Sequence, residues 1–169
     1  GRRALRAAVA ALGLDVAVGA IDADERGAPR LPDGVVGSIS HKATLALALA
    51  APAAGWTVGV DLERRAPRPT DIARKVLTVD ELAGVAALDD DARRRAVVRA
   101  FAIKEAVYKA IDPYLRRYVG FLEVALRDHA DADGERVAVI APDAWGLDIE
   151  AACVAHGEHW IATARARRR

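Results

Sequence analysis

Asp61 and Glu63 stand two positions apart in Trp56-Thr-Val-Gly-Val-Asp-Leu-Glu63. On a strand that spacing puts both carboxylates on one face, about 7 Å apart at Cα. Two anions so close repel unless a cation separates them. Oxygen donors of this kind suit Mg²⁺, with phosphate and water completing its shell. The plainer alternative is an amphipathic strand with two solvent-facing acids. A third acid, Glu105, lies four residues before Lys109 in a helical stretch, and an ordinary surface ion pair would also explain that spacing. Lys104 is harder to place on a surface. At 100° per residue it falls inside the apolar arc of Val97, Phe101, Val107, Tyr108 and Ile111. It must either snorkel outward or meet an anion where water is scarce. A phosphate in a cleft would serve. Ser40-His41 follows small residues, and such a segment can bring backbone N–H groups and an imidazole onto a phosphate. A histidine held by a local carbonyl is the alternative. The two are not a nucleophile and its base, because neighbours on an extended chain point to opposite sides.

The elements that must position these residues follow from period and punctuation. The opening segment repeats Arg2, Arg3 and Arg6 at helical spacing and reads as an amphipathic helix ended by Gly13. Residues 22–38, dense in Asp, Gly and Pro, read as an ordered loop. Alternating Leu and Ala over 44–50, a turn at 52–55 and the alternation of 56–63 predict a hairpin. Helices are expected over 70–76, 79–88 and 91–111, and strands over 119–127, 135–141, 147–155 and 159–165, with turns at 131–134, 142–143 and 156–158. The arginine-rich tail reads as a solvated end. The order of elements predicts an α+β fold of two pseudo-symmetric lobes, each a small antiparallel sheet with a long helix, around a central cleft. The first lobe would be 1–63 and the second 64–169, together one catalytic domain.

Composition narrows the classes. The chain has 169 residues with 25 Lys+Arg against 24 Asp+Glu, a balance that argues against a general nucleic-acid binder. Its single cysteine excludes an internal disulfide or a Cys-rich zinc site and fits a reducing cytoplasm. The apolar run 43–56 contains Pro52 and is too short to span a bilayer, so no membrane segment is expected. His129, His156 and His159 show no metal-ligand spacing.

Taken together, GVDLE (59–63) followed by FAIKEAVYKA (101–110) resembles the signature pair of the 4′-phosphopantetheinyl transferases. The resemblance is to the large two-lobed type of the surfactin-synthetase-activating superfamily, which activates carrier proteins of non-ribosomal peptide, polyketide and siderophore synthesis. PDGVVGSISHK (32–42), the opening GRRALRAAVAALG and PYLRRYVGF (113–121) resemble the enterobactin-synthetase-associated subgroup. Phe101 and Ala102 stand where the family often has Trp and Ser, and Lys42 where the subgroup often has Cys.

The resemblance implies roles. Asp61, Glu63 and Glu105 match the acids that hold Mg²⁺ against the pyrophosphate of coenzyme A. Lys104 and Lys109 match lysines near the phosphates, and Ser40 and His41 match a loop gripping the 3′-phosphate. Arg2 aligns with an arginine at that phosphate, and Arg26 with a basic residue near the nucleotide. The implied reaction moves 4′-phosphopantetheine from coenzyme A to a serine of an apo acyl or peptidyl carrier protein, releasing 3′,5′-ADP. Glu105 is the expected base, with Glu63 and Lys109 completing the catalytic set. Glu81 is the second candidate, although it also closes a Thr78-x-x-Glu81 capping box. Carrier docking is expected around 113–121 and the helices of 76–88. The sequence has no methionine, even at position 1, so a clipped transferase or a domain of a larger synthase is expected. The alternative function is a non-catalytic coenzyme A-binding or carrier-docking module.

Overall fold

The computed structural model describes residues 1–14, 19–66, 71–128 and 136–169. It is an α+β fold with two antiparallel sheets and one long helix. Helix α1 (Arg2–Ala10) comes first, followed by β1 (Val35–Lys42), β2 (Leu45–Pro52) and β3 (Thr57–Arg64). Helices α2 (Ala73–Val76), α3 (Val79–Gly84) and α4 (Asp90–Leu115) come next. The chain closes with β4 (Ala125–Asp128), β5 (Arg136–Ile140), β6 (Leu147–His156) and β7 (His159–Arg168).

In the first half α1 buries Leu5 and Val9 against Val35, Ile21 and the inner residues of the β1–β2 pair. In the second, α4 lies on a five-stranded sheet of order β3-β7-β6-β5-β4. Its small and branched residues Ala102, Ile103, Ala106, Val107, Ala110 and Ile111 are fully buried there. Asp89 caps the helix by accepting from Ala92 N–H at 2.8 Å, and Asp90 and Asp91 favour its positive end.

Several expectations change. The hairpin of 44–50 with 56–63 does not form. Strand β2 pairs with β1, through a tight turn in which Ala43 takes φ +45°, and β3 gives its ladder edge to β7. Residues 35–38, expected in a loop, are therefore strand, and Ser40-His41 lies within β1. By hydrogen bonding β3 belongs to the second sheet, so the two sheets divide before β3, within the first lobe expected over 1–63. The long helix does not stop short of Pro113 but runs through it to Leu115, with Arg116 left-handed at its end. Of the stretch 119–127, Phe121–Glu123 forms a 3₁₀ turn and only Ala125 onward is strand. The helix expected over 79–88 ends at Gly84. The arginine tail is strand: β7 continues to Arg168, and Arg165 and Arg167 pair with Glu150 and Asp148 of β6. Thr70, His129 and the turn at 131–134 lie outside the described residues.

Candidate active site

The site is made by laying one backbone on another. A Cβ at Gly59 would stand 1.9 Å from the Ala106 carbonyl oxygen and 2.8 Å from Ala110 N, so only glycine lets β3 lie on α4 there. Thr57 ties the same contact, its hydroxyl 2.5 Å from Ala110 O. Asp61 and Glu63 follow Gly59 along this face, and Glu105 precedes Ala106 on the helix. The three acids interact electrostatically. Both strand carboxylates are buried, at 5% and 6% exposure.

A lysine holds each strand acid. Lys109 Nζ donates to Asp61 Oδ1 at 2.8 Å and to Val60 O at 2.9 Å, and Lys42 Nζ stands 2.8 Å from Glu63 Oε1. Ser40 Oγ also donates to Asp61 Oδ1, at 2.8 Å. Burial pushes the Glu105 carboxyl above the ordinary carboxylate range. The Asp61 and Glu63 charges push the same way, and Lys109 and Lys42 pull it back. Among the described residues no three His, Cys, Asp or Glu side chains stand as a closed set of metal donors. The donor chemistry nevertheless fits a hard divalent cation. The buried Asp61 Oδ2 has no hydrogen-bond partner among the described residues, and three carboxylates crowd one place.

A cleft of about 960 Å³ opens beside these acids, between the first half and α4. Arg2, Arg26, His41, Glu105 and Lys109 line it. The structure thus gathers five of the sequence-expected residues around one space, whose rim also carries Arg3, Arg116 and the acids Asp22, Asp24 and Asp112. Arg26 is fixed in it: its guanidinium lies 2.5 Å from Asp112, and reaches Tyr108 OH and Arg117 O at 3.2 Å. Asp112 holds that guanidinium above the ordinary arginine range.

Two residues expected at phosphates are engaged elsewhere. Lys104 is buried and faces away from the cleft. Its Nζ donates to Val76 O at 2.8 Å, Glu81 Oε2 at 2.7 Å and Phe121 O at 3.1 Å. The anion it meets in a dry place is Glu81, not a phosphate. Burial lowers its pKa and Glu81 raises it again. Glu81 is tied into the fold, where it accepts from Thr78 N and Leu126 N in addition to Lys104. Ser40 is likewise turned from the cleft. Its oxygen accepts from Leu62 N at 3.2 Å while Ser38 Oγ accepts from Val60 N at 3.1 Å. These two hydroxyls satisfy the outer edge of β3 and join the sheets where no ladder runs. His41, pointing oppositely, lines the cleft. Sequence reasoning did not single out Ser38 or Asp112. The signal for the first was a serine two residues before Ser40 on the same strand face, and for the second an acid set in the apolar end of α4 beside Pro113.

An α+β fold whose cleft sets Arg2, His41 and Lys109 beside crowded carboxylates defines a class with donors for an anionic ligand and for a hard cation. Within that class, the chain belongs to the 4′-phosphopantetheinyl transferase superfamily, whose model matches residues 57–164. The model of the 4′-phosphopantetheinyl transferase N-terminal domain matches residues 1–51, so the two matches meet where the sheets divide. The 4′-phosphopantetheinyl transferase Svp of Streptomyces mobaraensis is 34% identical over 141 residues, covering 81% of this chain and 56% of that protein. The 4′-phosphopantetheinyl transferase Npt of Nocardia iowensis is 35% identical over 105 residues, covering 62% and 46%. The chain spans about half the length of these curated relatives. The fold is shared with the holo-(acyl-carrier-protein) synthase of Bacillus anthracis, solved in complex with CoA (3′,5′-ADP), at TM-score 0.54, 18% identity and coverage of 66% of this chain and 96% of that one. It is also shared with the Thermotoga maritima holo-[acyl-carrier-protein] synthase, at TM-score 0.53, 20% identity and coverage of 66% and 63%.

Proposed function

We propose that this chain transfers 4′-phosphopantetheine from coenzyme A to a serine hydroxyl of an apo carrier protein. The observation that carries the reading is Glu105 facing Asp61 and Glu63 beside a cleft lined by Arg2, His41 and Lys109, in a member of this superfamily. Subgroup and setting stay as the sequence motifs imply: the large two-lobed, enterobactin-synthetase-associated type, in the cytoplasm. Among the described residues no helix is long and apolar enough to cross a membrane.

Arg2, His41 and Arg26 bind and orient the nucleotide end from the cleft rim. Lys109, held by Asp61 and Val60 O with part of its surface open, offers a positive charge to the phosphates. Asp61, Glu63 and Glu105 would hold Mg²⁺, which supplies charge neutralisation at the phosphates when bound. Glu105 takes the proton of the incoming serine. The serine oxygen forms a bond to the β-phosphorus as the bond to the 3′,5′-ADP oxygen breaks. Exposed Val79, Tyr118 and Leu122 offer apolar surface for the carrier, on segments that Lys104 braces through Val76 O, Glu81 and Phe121 O.

The test is incubation with coenzyme A, Mg²⁺ and an apo carrier protein, reading the carrier by mass. A gain of one phosphopantetheine is expected. Binding of coenzyme A without gain on any carrier would overturn transfer and leave a coenzyme A-binding module.

A further inference from the structure

Among the described residues two buried N–H donors stand without an acceptor, Arg65 Nε and Trp160 Nε1. They are neighbours. The Arg65 guanidinium lies 4.8 Å over the Trp160 ring, and its Nη1 donates to Gly157 O at 3.2 Å, which fixes the fork and leaves Nε over. Both sit on the catalytic wall. Trp160 is the cross-strand partner of Glu63, and Arg65, two residues beyond Glu63, carries the ladder on with its N–H to Glu158 O at 2.8 Å. Strand partners and residues two apart share a face, so these donors face the same way as Asp61 and Glu63.

The wall therefore has an order. Lys109 and Asp61 adjoin the nucleotide cleft, Glu63 comes next, and the two free donors end the row. A ligand with its nucleotide in the cleft and its pyrophosphate at the acids would continue past Glu63. Coenzyme A continues there as the pantoyl unit, with an ester oxygen, three carbons and then a hydroxyl and an amide carbonyl. That span is comparable to two strand residues, about 7 Å. Buried N–H groups want acceptor oxygens, and these are the first that the arm provides. Resting on the function proposed above, we infer that Arg65 and Trp160 form a subsite for the pantoyl hydroxyl and amide oxygens of coenzyme A.

The test uses the full chain with Mg²⁺ and compares coenzyme A with 3′,5′-ADP, which lacks the arm. Trp160→Phe keeps the ring and removes one donor, and Arg65→Met keeps the stem and removes the other. Each is expected to weaken coenzyme A about 3- to 10-fold in calorimetry and to leave 3′,5′-ADP unchanged. In the unaltered chain the Trp160 indole N–H resonance, identified by its loss in Trp160→Phe, should shift with coenzyme A and not with 3′,5′-ADP. Equal weakening of both ligands, unchanged coenzyme A affinity, or a rise confined to the carrier KM would each overturn the subsite. If the unaltered chain binds neither ligand, the functional reading falls and the subsite with it.

Discussion

Single side chains here differ most in whether a neighbour already satisfies them. Glu105 is the informative acid, because burial and two like charges raise its pKa. A raised folded value means that folding favours the protonated form. That stability is full below the unfolded pKa of about 4.3 and is lost as pH rises through the folded value. Glu105→Gln cannot ionise. Without divalent cation it should match the parent at low pH and exceed it in thermal stability near neutrality, and added Mg²⁺ should stabilise the parent alone. Transfer should fall about 100-fold or more. An unchanged order of stabilities with Mg²⁺ would refute the cation assignment. Lys104 makes the opposite case. Lys104→Ala strands the Glu81 carboxylate in a buried place and should cost about 3–5 kcal/mol in denaturant unfolding, with much less lost in Lys104→Met combined with Glu81→Gln. If the folded double variant kept its stability yet lost coenzyme A affinity, Lys104 would return to the phosphates.

At the level of elements, the site depends on β3 lying against α4. Gly59→Ala forces a methyl onto a helix carbonyl and should cost about 3 kcal/mol or more, seen as a lower denaturant midpoint. Transfer should fall further than stability alone explains, since the strand carries both Asp61 and Glu63. The GVDLE segment was legible as a strand with its acids on one face because alternation is a local property. Its partner was not. Two adjacent apolar segments joined by a short turn read as a hairpin, yet β3 pairs with β7, far along the chain, and meets β1 through Ser38 and Ser40 hydroxyls. No period in a sequence records which edge a strand offers. The same holds for Pro113, which reads as a helix end and is absorbed near the end of α4, where only one carbonyl loses its donor.

For the whole molecule, the cleft exists only while its two halves stay in register. Arg26 reaches from the first half to Asp112, Tyr108 and Arg117 O at the end of α4, and Arg116 pairs with Glu25 beside it. Arg26→Ala should lower the thermal midpoint and weaken coenzyme A and 3′,5′-ADP alike, because it loosens the cleft and removes a charge from its rim. An effect on neither would place the joint between the halves elsewhere. Near-neutral net charge conceals a placement in which β3 buries two acids while arginines, a lysine and further acids surround the opening.

By itself the sequence determined which residues could do the chemistry, the strand carrying two acids on one face, the helix carrying Glu105 and Lys109, and the family to which these motifs point. These are short-range facts, carried by residue type and period. Only the tertiary structure decided what each candidate touches. Lys104, Ser40 and Glu81 are engaged by neighbours distant in sequence, and Arg26 is set at the cleft rim by Asp112. A buried polar group takes the nearest partner that packing provides, and packing is a property of the whole chain.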